Sequence, residues 1–283
     1  MWLPFALVSA LIAGGRRVYE KTLTETFGNF AMGFIAQAFS LLPALLLIFV
    51  LPNGTEIGNL PWRFWWPLLI IWLVLYPIQT YFMYRAVREA DVSTVTPVMA
   101  VLPVFNIGSS FLLLGEVPSL FGFAGILLIA VGTYLMLWEK KNIPLSKPVL
   151  MMVFSMFCIA IGSSLDKVSI QVSNPVFYGF MNTLGASVVF LVLMHFYKEK
   201  EYFTHMRLKF WPLALLGTLQ AISFTATMYA FKYGPVSYVL AIRAGSYVLA
   251  GLYGLFILKE GFSQRKPIAF IFFLAGVLAL AFA

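Results

Sequence analysis

With 61% of its 283 residues apolar, only 11% charged and a mean hydropathy of +0.90, the chain lies far outside the range of soluble domains, which are about a quarter charged. The net charge of +8 does not indicate nucleic acid, because the basic residues are scattered over connections between apolar runs instead of gathering on one face. Cys158 is the only cysteine, which excludes an intramolecular disulfide and any cysteine-based metal cluster.

A transmembrane helix needs roughly 20 mostly apolar residues, and runs of that kind recur along the chain. The predicted spans are 2–19, 29–50, 65–83, 92–114, 120–138, 149–172, 177–197, 210–231, 236–258 and 268–282. A strand-built barrel is excluded by segments such as Phe121 to Trp138, which are apolar on all sides instead of alternating. The polar segment from Glu139 to Pro144 divides the ten spans into two sets of five. The expected units are therefore 1–138, a connection over 139–147, and 148–283.

Shifted by 144 residues, the segment from Arg85 to Trp138 lies over that from Tyr229 to Phe282 without a gap. Ala86, Ser93, Ala100, Leu114, Glu116 and Gly132 then meet Ala230, Ser237, Ala244, Leu258, Glu260 and Gly276; at a shift of 146, Glu20-Lys21 meets Asp166-Lys167. Five spans per copy is an odd number, so the second copy enters the membrane from the opposite side. The predicted fold class is an all-α integral membrane protein of ten transmembrane helices in two inverted five-helix repeats, an architecture that recurs in secondary transporters.

The chain resembles the drug/metabolite transporter superfamily, and within it the ten-helix proteins built from two EamA-type repeats. The resemblance spans essentially the whole chain. It is carried by the duplication, by Gly28-Asn29 and Asn174-Pro175 opening the second helix of each half, and by Val92-Ser93 through Pro103-Val104 to Leu114-Gly115-Glu116. Gly125 and Gly132 after that glutamate, and Lys21 and Lys167 ending the first helix of each half, belong to it as well. The second half departs from the pattern, with Tyr247 in the place of Pro103 and Lys259 in the place of Gly115. The resemblance implies alternating access by a monomer or homodimer, with a cavity lined by the first, third and fourth helices of each half. It does not name the solute.

Arg243 is the strongest pointer to function, since seven uncharged residues precede it and fifteen follow before Lys259. A mid-membrane arginine costs about 2.5–3.5 kcal/mol on insertion scales, so it faces a wet cavity or a carboxylate partner. Its fork of donors suits a carboxylate or phosphate; the competing reading is an ion pair with Glu20 or Asp166. Helical spacing places Ser246 and Tyr247 on the face of Arg243, and Asn106 follows one turn beyond Pro103 on the repeat-related helix. Pro97 and Pro103 weaken the backbone ladder of that helix, which suits either a discontinuous element or a static kink.

Tyr76, Gln79 and Met83 in the third span map to Gln220, Ser223 and Thr227 in the eighth, all on one stripe that lines a cavity or bonds neighbouring helices. The expected substrate-binding set is thus Arg243, Tyr247, Ser246, Asn106, Gln79, Tyr76, Gln220, Ser223 and Thr227. Glu20 and Asp166, as acidic residues inside apparent spans, are coupling candidates, although Lys21 and Lys167 beside them favour neutralised pairs. Glu116 and Glu260 sit at connections and are expected to cap the helices that follow. Trp62, Trp65, Trp66, Trp138 and Trp211 fall at span ends, as in an interfacial belt.

Loops after spans three, five, seven and nine hold twelve Lys and Arg, against two in those after spans two, four, six and eight. The positive-inside rule therefore puts both termini outside, whereas the resemblance implies termini in the cytoplasm. No enzyme signature occurs: a clustered Asp/Glu metal set, H-E-x-x-H, a P-loop and G-x-S-x-G are all missing from the sequence. No cofactor or metal is expected. The expected activity is that of a secondary transporter for a small polar, anionic or zwitterionic metabolite in the cytoplasmic membrane, with the small molecule and the lipid bilayer as its partners. The alternatives are an exporter of quaternary amines or hydrophobic cations through an aromatic-lined cavity, and a channel or scramblase.

Overall fold

The computed structural model describes residues 1–21, 29–51, 59–90, 95–137, 146–197, 209–257 and 265–283. Val92-Ser93, Gly28, the connection over 139–145, Lys259, Glu260 and the side chains of Glu20 and Lys21 lie outside the described residues. Among the described residues the chain forms ten helical rods and no strand. We number them α1 (Trp2–Lys21), α2 (Asn29–Val50), α3 (62–89), α4 (96–114), α5 (Leu120–Leu137), α6 (Lys147–Ile170), α7 (Pro175–Phe196), α8 (Phe210–Tyr233), α9 (236–257) and α10 (Arg265–Ala281).

Three rods are locally irregular, and each irregularity follows from the sequence. In α3 the α-helix Trp62–Ile70 passes through a π-helical turn, Ile71–Leu75, before resuming at Tyr76–Glu89. Pro77 has no N–H to give and its ring crowds the carbonyl four residues back; the ladder relaxes to the wider spacing, with the Tyr76 N–H bonded to the Ile71 carbonyl. In α4 the stretch between the two prolines is a 3₁₀ helix, Thr96–Val101, which becomes α-helical over Leu102–Leu114 and ends on Gly115 at φ +69°. That left-handed terminus suits glycine. In α9 the helices Val236–Ala244 and Ser246–Ile257 meet at Gly245, where a Cβ would lie 1.9 Å from the Phe273 ring.

α3 is longer than its hydropathy predicts because its last turns are polar. Arg85 and Glu89, one turn apart, pair at 2.5 Å and carry the helix beyond the apolar window. α7 begins on Asn174, whose side-chain oxygen accepts from the Val176 N–H at 2.8 Å, with Pro175 in the first helical position.

The packing repeats itself by halves. α1 lies against α8 and α9, as α6 lies against α3 and α4, while α2 packs on α7, α4 on α9 and α5 on α10. A Cβ on Gly125 would come 2.9 Å from the Gly276 carbonyl oxygen, and one on Gly132 would come 2.8 Å from that of Ala269. Gly125 corresponds to Ala269 and Gly132 to Gly276 under the 144-residue shift, so these two close approaches of α5 and α10 are one contact seen from each half. Small residues let backbones meet where no aqueous hydrophobic effect drives association.

The surface is inverted relative to a soluble protein. Leu42, Phe49, Leu73, Leu112 and Val188 are exposed, whereas Ser9, Asn106, Ser109, Ser164, Asn182 and Thr227 are buried. α2 to α8 each carry an 18-residue stretch apolar enough to cross a bilayer, and the apolar parts of α9 and α10 are shorter. Trp62 and Trp211 at helix starts are exposed, as an interfacial belt requires.

Candidate functional site

At the centre of the bundle is a cavity of about 350 Å³, within the range of small-molecule sites. It is lined from α3 by Tyr76, Gln79, Thr80 and Met83, from α6 by Gly162, Ser163 and Asp166, and from α9 by Arg243. Arg16 of α1, Gln37 of α2, Asn182 and Thr183 of α7, and Gln220 and Phe224 of α8 complete its polar and aromatic walls. The π-turn of α3 sets the stripe that follows it onto this space.

Arg243 and Asp166 share the cavity and interact electrostatically, as Arg243 does with Arg16 and Arg17. No hydrogen bond or ion pair joins Arg243 to a described residue. The Asp166 carboxylate instead accepts from the hydroxyl of fully buried Tyr178. Asn182 organises the neighbouring wall: its side-chain oxygen accepts from Trp72 Nε1 at 3.0 Å and from the Tyr76 hydroxyl at 3.3 Å, and its amide nitrogen lies 3.0 Å from the same hydroxyl oxygen. Among the described residues its lining holds two guanidinium groups, Arg16 and Arg243, and one carboxylate, Asp166.

Of the expected binding set, Arg243, Tyr76, Gln79 and Gln220 line the cavity, together with the coupling candidate Asp166. The other five do not. Ser246 accepts from Arg17 Nε at 3.2 Å, and the Tyr247 ring lies 3.7 Å beneath the Arg17 guanidinium, with its hydroxyl 3.0 Å from Met99 Sδ. The Arg17 side chain of α1 thus covers both residues, which takes them out of the cavity wall although helical spacing sets them beside Arg243. Asn106 is fully buried, with neither side-chain polar atom partnered. Ser223 and Thr227 face α1, where Ser9 Oγ is 3.3 Å from Ser223 Oγ and 2.6 Å from Thr227 Oγ1.

The expectation that the first, third and fourth helices of each half line the cavity is met only in part, since α4 contributes no lining residue and α2 and α7 contribute several. Pro97 of α4 borders a shallow apolar groove against α5 instead, and Pro103 is buried. Lys167 does not neutralise Asp166. Its ammonium binds Glu116 Oε1 at 2.5 Å and the Gly234 carbonyl at 2.7 Å, and Glu116 Oε2 accepts the Val236 N–H at 2.8 Å. Glu116 therefore caps α9 across the molecule instead of α5, the helix that follows it. The Gly122 N–H of α5 is bonded to Ser119 Oγ at 3.0 Å. This clasp ties Glu116 of the first half to two groups of the second, the Lys167 ammonium and the Val236 N–H, at the end of the bundle where α6 ends and α9 begins. The cavity extends away from it, along α3 from Ile71 to Met83, roughly 18 Å at 1.5 Å per residue.

An EamA-like transporter family model matches residues 1–138 and again 146–282. The chain belongs to the EamA-like transporter family. It is a multi-pass integral membrane protein of a transporter family, with one copy of the family unit in each half. A solved crystal structure superposes with a TM-score of 0.79 over 98% of this chain and 94% of its own, at 15% identity, which shows a shared fold. No curated protein sequence matches the chain.

Proposed function

We propose that this EamA-like protein is a secondary carrier that moves a small anionic or zwitterionic metabolite by alternating access, held between the halves at Arg243. The observation that carries this reading is a guanidinium at membrane depth, facing a cavity of about 350 Å³ with no hydrogen bond to a described residue. A cation so placed at a cost of about 2.5–3.5 kcal/mol is a binding group for which the solute supplies the partner. Asp166 beside it offers an acceptor for an ammonium, which suits an amino acid, and the amides of Gln37, Gln79, Asn182 and Gln220 suit hydroxyls or phosphate oxygens. Cation export is disfavoured by Arg243 in the same space, although Tyr76, Phe190 and Phe224 supply aromatic faces.

The test has two parts. A thermal-shift screen of the purified protein against amino acids, sugar phosphates and quaternary amines identifies a binder by mass action. Counterflow of that binder in liposomes then separates a carrier from a channel, because only a carrier accumulates labelled solute driven by trans substrate. Arg243→Ala is expected to weaken binding by about tenfold or more, the worth of a charged hydrogen bond. Unchanged binding overturns the assignment of Arg243.

A further inference from the structure

We propose that Ser223 and Thr227 are the other half of the solute path: they line the cavity when it faces the end now closed by the Glu116–Lys167 clasp, in the places Gln79 and Met83 hold in this structure. The inference rests on the carrier reading and adds to it the residues of the second state.

Four positions of α3, namely Tyr76, Gln79, Thr80 and Met83, face the cavity, and under the 144-residue shift they correspond to Gln220, Ser223, Phe224 and Thr227 of α8. Only Gln220 and Phe224 of those four line it. Both members of the pairs Tyr76/Gln220 and Thr80/Phe224 are therefore in the wall, while Gln79/Ser223 and Met83/Thr227 contribute one member each. In an inverted repeat, pairs with both members in the cavity wall are shared by both states, and pairs with one member in the wall and the other covered exchange when the halves exchange conformations. The direction agrees. From Met83, α3 runs on to the end remote from the clasp, whereas from Thr227, α8 runs on to Gly234, whose carbonyl is held by Lys167.

The contacts of the two stripes match this exchange. Ser223 and Thr227 are 1% and 0% exposed, sealed against α1 by Ser9, which also accepts from Ser223 Oγ through its carbonyl at 3.0 Å. The counterparts of Ser9 and Ser223 under the 146- and 144-residue shifts are Ser155 and Gln79, and these too are bonded, Ser155 Oγ donating to the Gln79 carbonyl at 2.9 Å. The helix pairs α1/α8 and α6/α3 are thus built alike. One presents its outer polar side chain to the cavity and the other keeps its own covered.

The experiment uses the full chain, reconstituted in vesicles of defined orientation on a Cys158→Ser background, with Met83→Cys or Thr227→Cys as the only thiol. A membrane-impermeant maleimide is applied from each face. Met83→Cys is expected to react from one face and Thr227→Cys from the other. Adding Glu116→Gln, which weakens the clasp, is expected to raise the rate at Thr227→Cys and lower that at Met83→Cys, by about tenfold for one lost charged hydrogen bond. Reaction of Thr227→Cys from the same face as Met83→Cys overturns the inference. So does a Thr227→Cys thiol silent from both faces while Glu116→Gln slows Met83→Cys. Met83→Cys reacting at equal rates from both faces overturns the carrier reading itself, a separate outcome. Ser223→Cys, nearly isosteric with serine, replaces Thr227→Cys should that variant not fold.

Discussion

Lys167→Met tests whether the two halves are tied by the clasp or merely adjacent there. Methionine keeps the length of the lysine stem and removes the ammonium, so the bonds to Glu116 Oε1 at 2.5 Å and to the Gly234 carbonyl at 2.7 Å are both lost. Among the described residues the Glu116 carboxylate then keeps only the Val236 N–H. Removing one partner of a buried ion pair costs about 3–5 kcal/mol, because the other charge stays behind unpaired. The side chains of Lys167 and Glu116 are 10% and 18% exposed, which admits some solvent and places the expectation near the lower limit, about 3 kcal/mol. Glu116→Gln removes the charge and keeps an acceptor for only one of the two donors, turning an amide NH2 toward the other, so its expected cost is about 1–3 kcal/mol.

The double variant is expected to lose less than the sum, since each single change already breaks the charged contact, with a coupling energy of about 1 kcal/mol or more. Equilibrium unfolding in mixed micelles of the wild type, both single variants and the double variant measures all the terms. A Lys167→Met protein within about 0.5 kcal/mol of wild type and without coupling refutes the reasoning, because the contact then behaves as an exposed surface pair.

Gly125→Val is expected to destabilise by about 1–3 kcal/mol, since the new Cβ would lie 2.9 Å from the Gly276 carbonyl oxygen and 2.8 Å from Leu280 Cγ. Gly108→Ala, with nothing within 4 Å of its Cβ, is the control and gains up to about 1 kcal/mol of helix propensity in the same unfolding assay. Asn182→Leu releases Trp72 and Tyr76 from their shared partner, and weakens binding of any solute found in the thermal-shift screen by about tenfold while the apo protein stays folded; unchanged affinity shows that the Tyr76 hydroxyl needs no such support.

The ten helices were legible because each must present roughly 20 apolar residues to lipid, a demand local to its own segment. Arg243 was legible for the same reason, as a charge with no route to either surface. What escaped depends on how segments meet. Glu116 looked like the cap of the helix after it, and its true partners lie about 50 and 120 residues along the chain, a distance on which local capping rules are silent. Ser246 and Tyr247 share a helical stripe with Arg243, but Arg17 of α1, 229 residues before Ser246 in the chain, covers them. Gln37 and Asn182 did carry a signal, each a carboxamide inside an apolar span, but neither falls on the helices that the family resemblance puts around the cavity. The 146-residue shift that aligns Glu20 with Asp166 also pairs Asn182 with Ala36 and Gln37 with Thr183, which would have brought α2 and α7 into view.

The two halves share their packing and differ in their chemistry, and that difference predicts how transport behaves. The glycine crossings of α5 and α10 and the serine contacts of α1/α8 and α6/α3 recur under the shift, whereas the cavity groups do not: Arg243 corresponds to Met99, Asn182 to Ala36, Arg16 to Gly162 and Gln79 to Ser223. A second mid-membrane arginine at position 99 would cost a further 2.5–3.5 kcal/mol or so, which argues against symmetry in the charged groups but not in the neutral ones. A solute therefore meets the glutamine amide of position 79 in one state and, on the inference above, two hydroxyls in the other. Exchanging one good hydrogen bond for a weaker set is worth about 1 kcal/mol. The half-saturating concentrations on the two faces of the membrane should accordingly differ by about fivefold in zero-trans uptake and efflux of the same solute, and Gln79→Ser should bring them within a factor of about two. Equal values in the parent protein would mean that the bound solute never reaches position 79, and would confine its site to the shared pairs and Arg243.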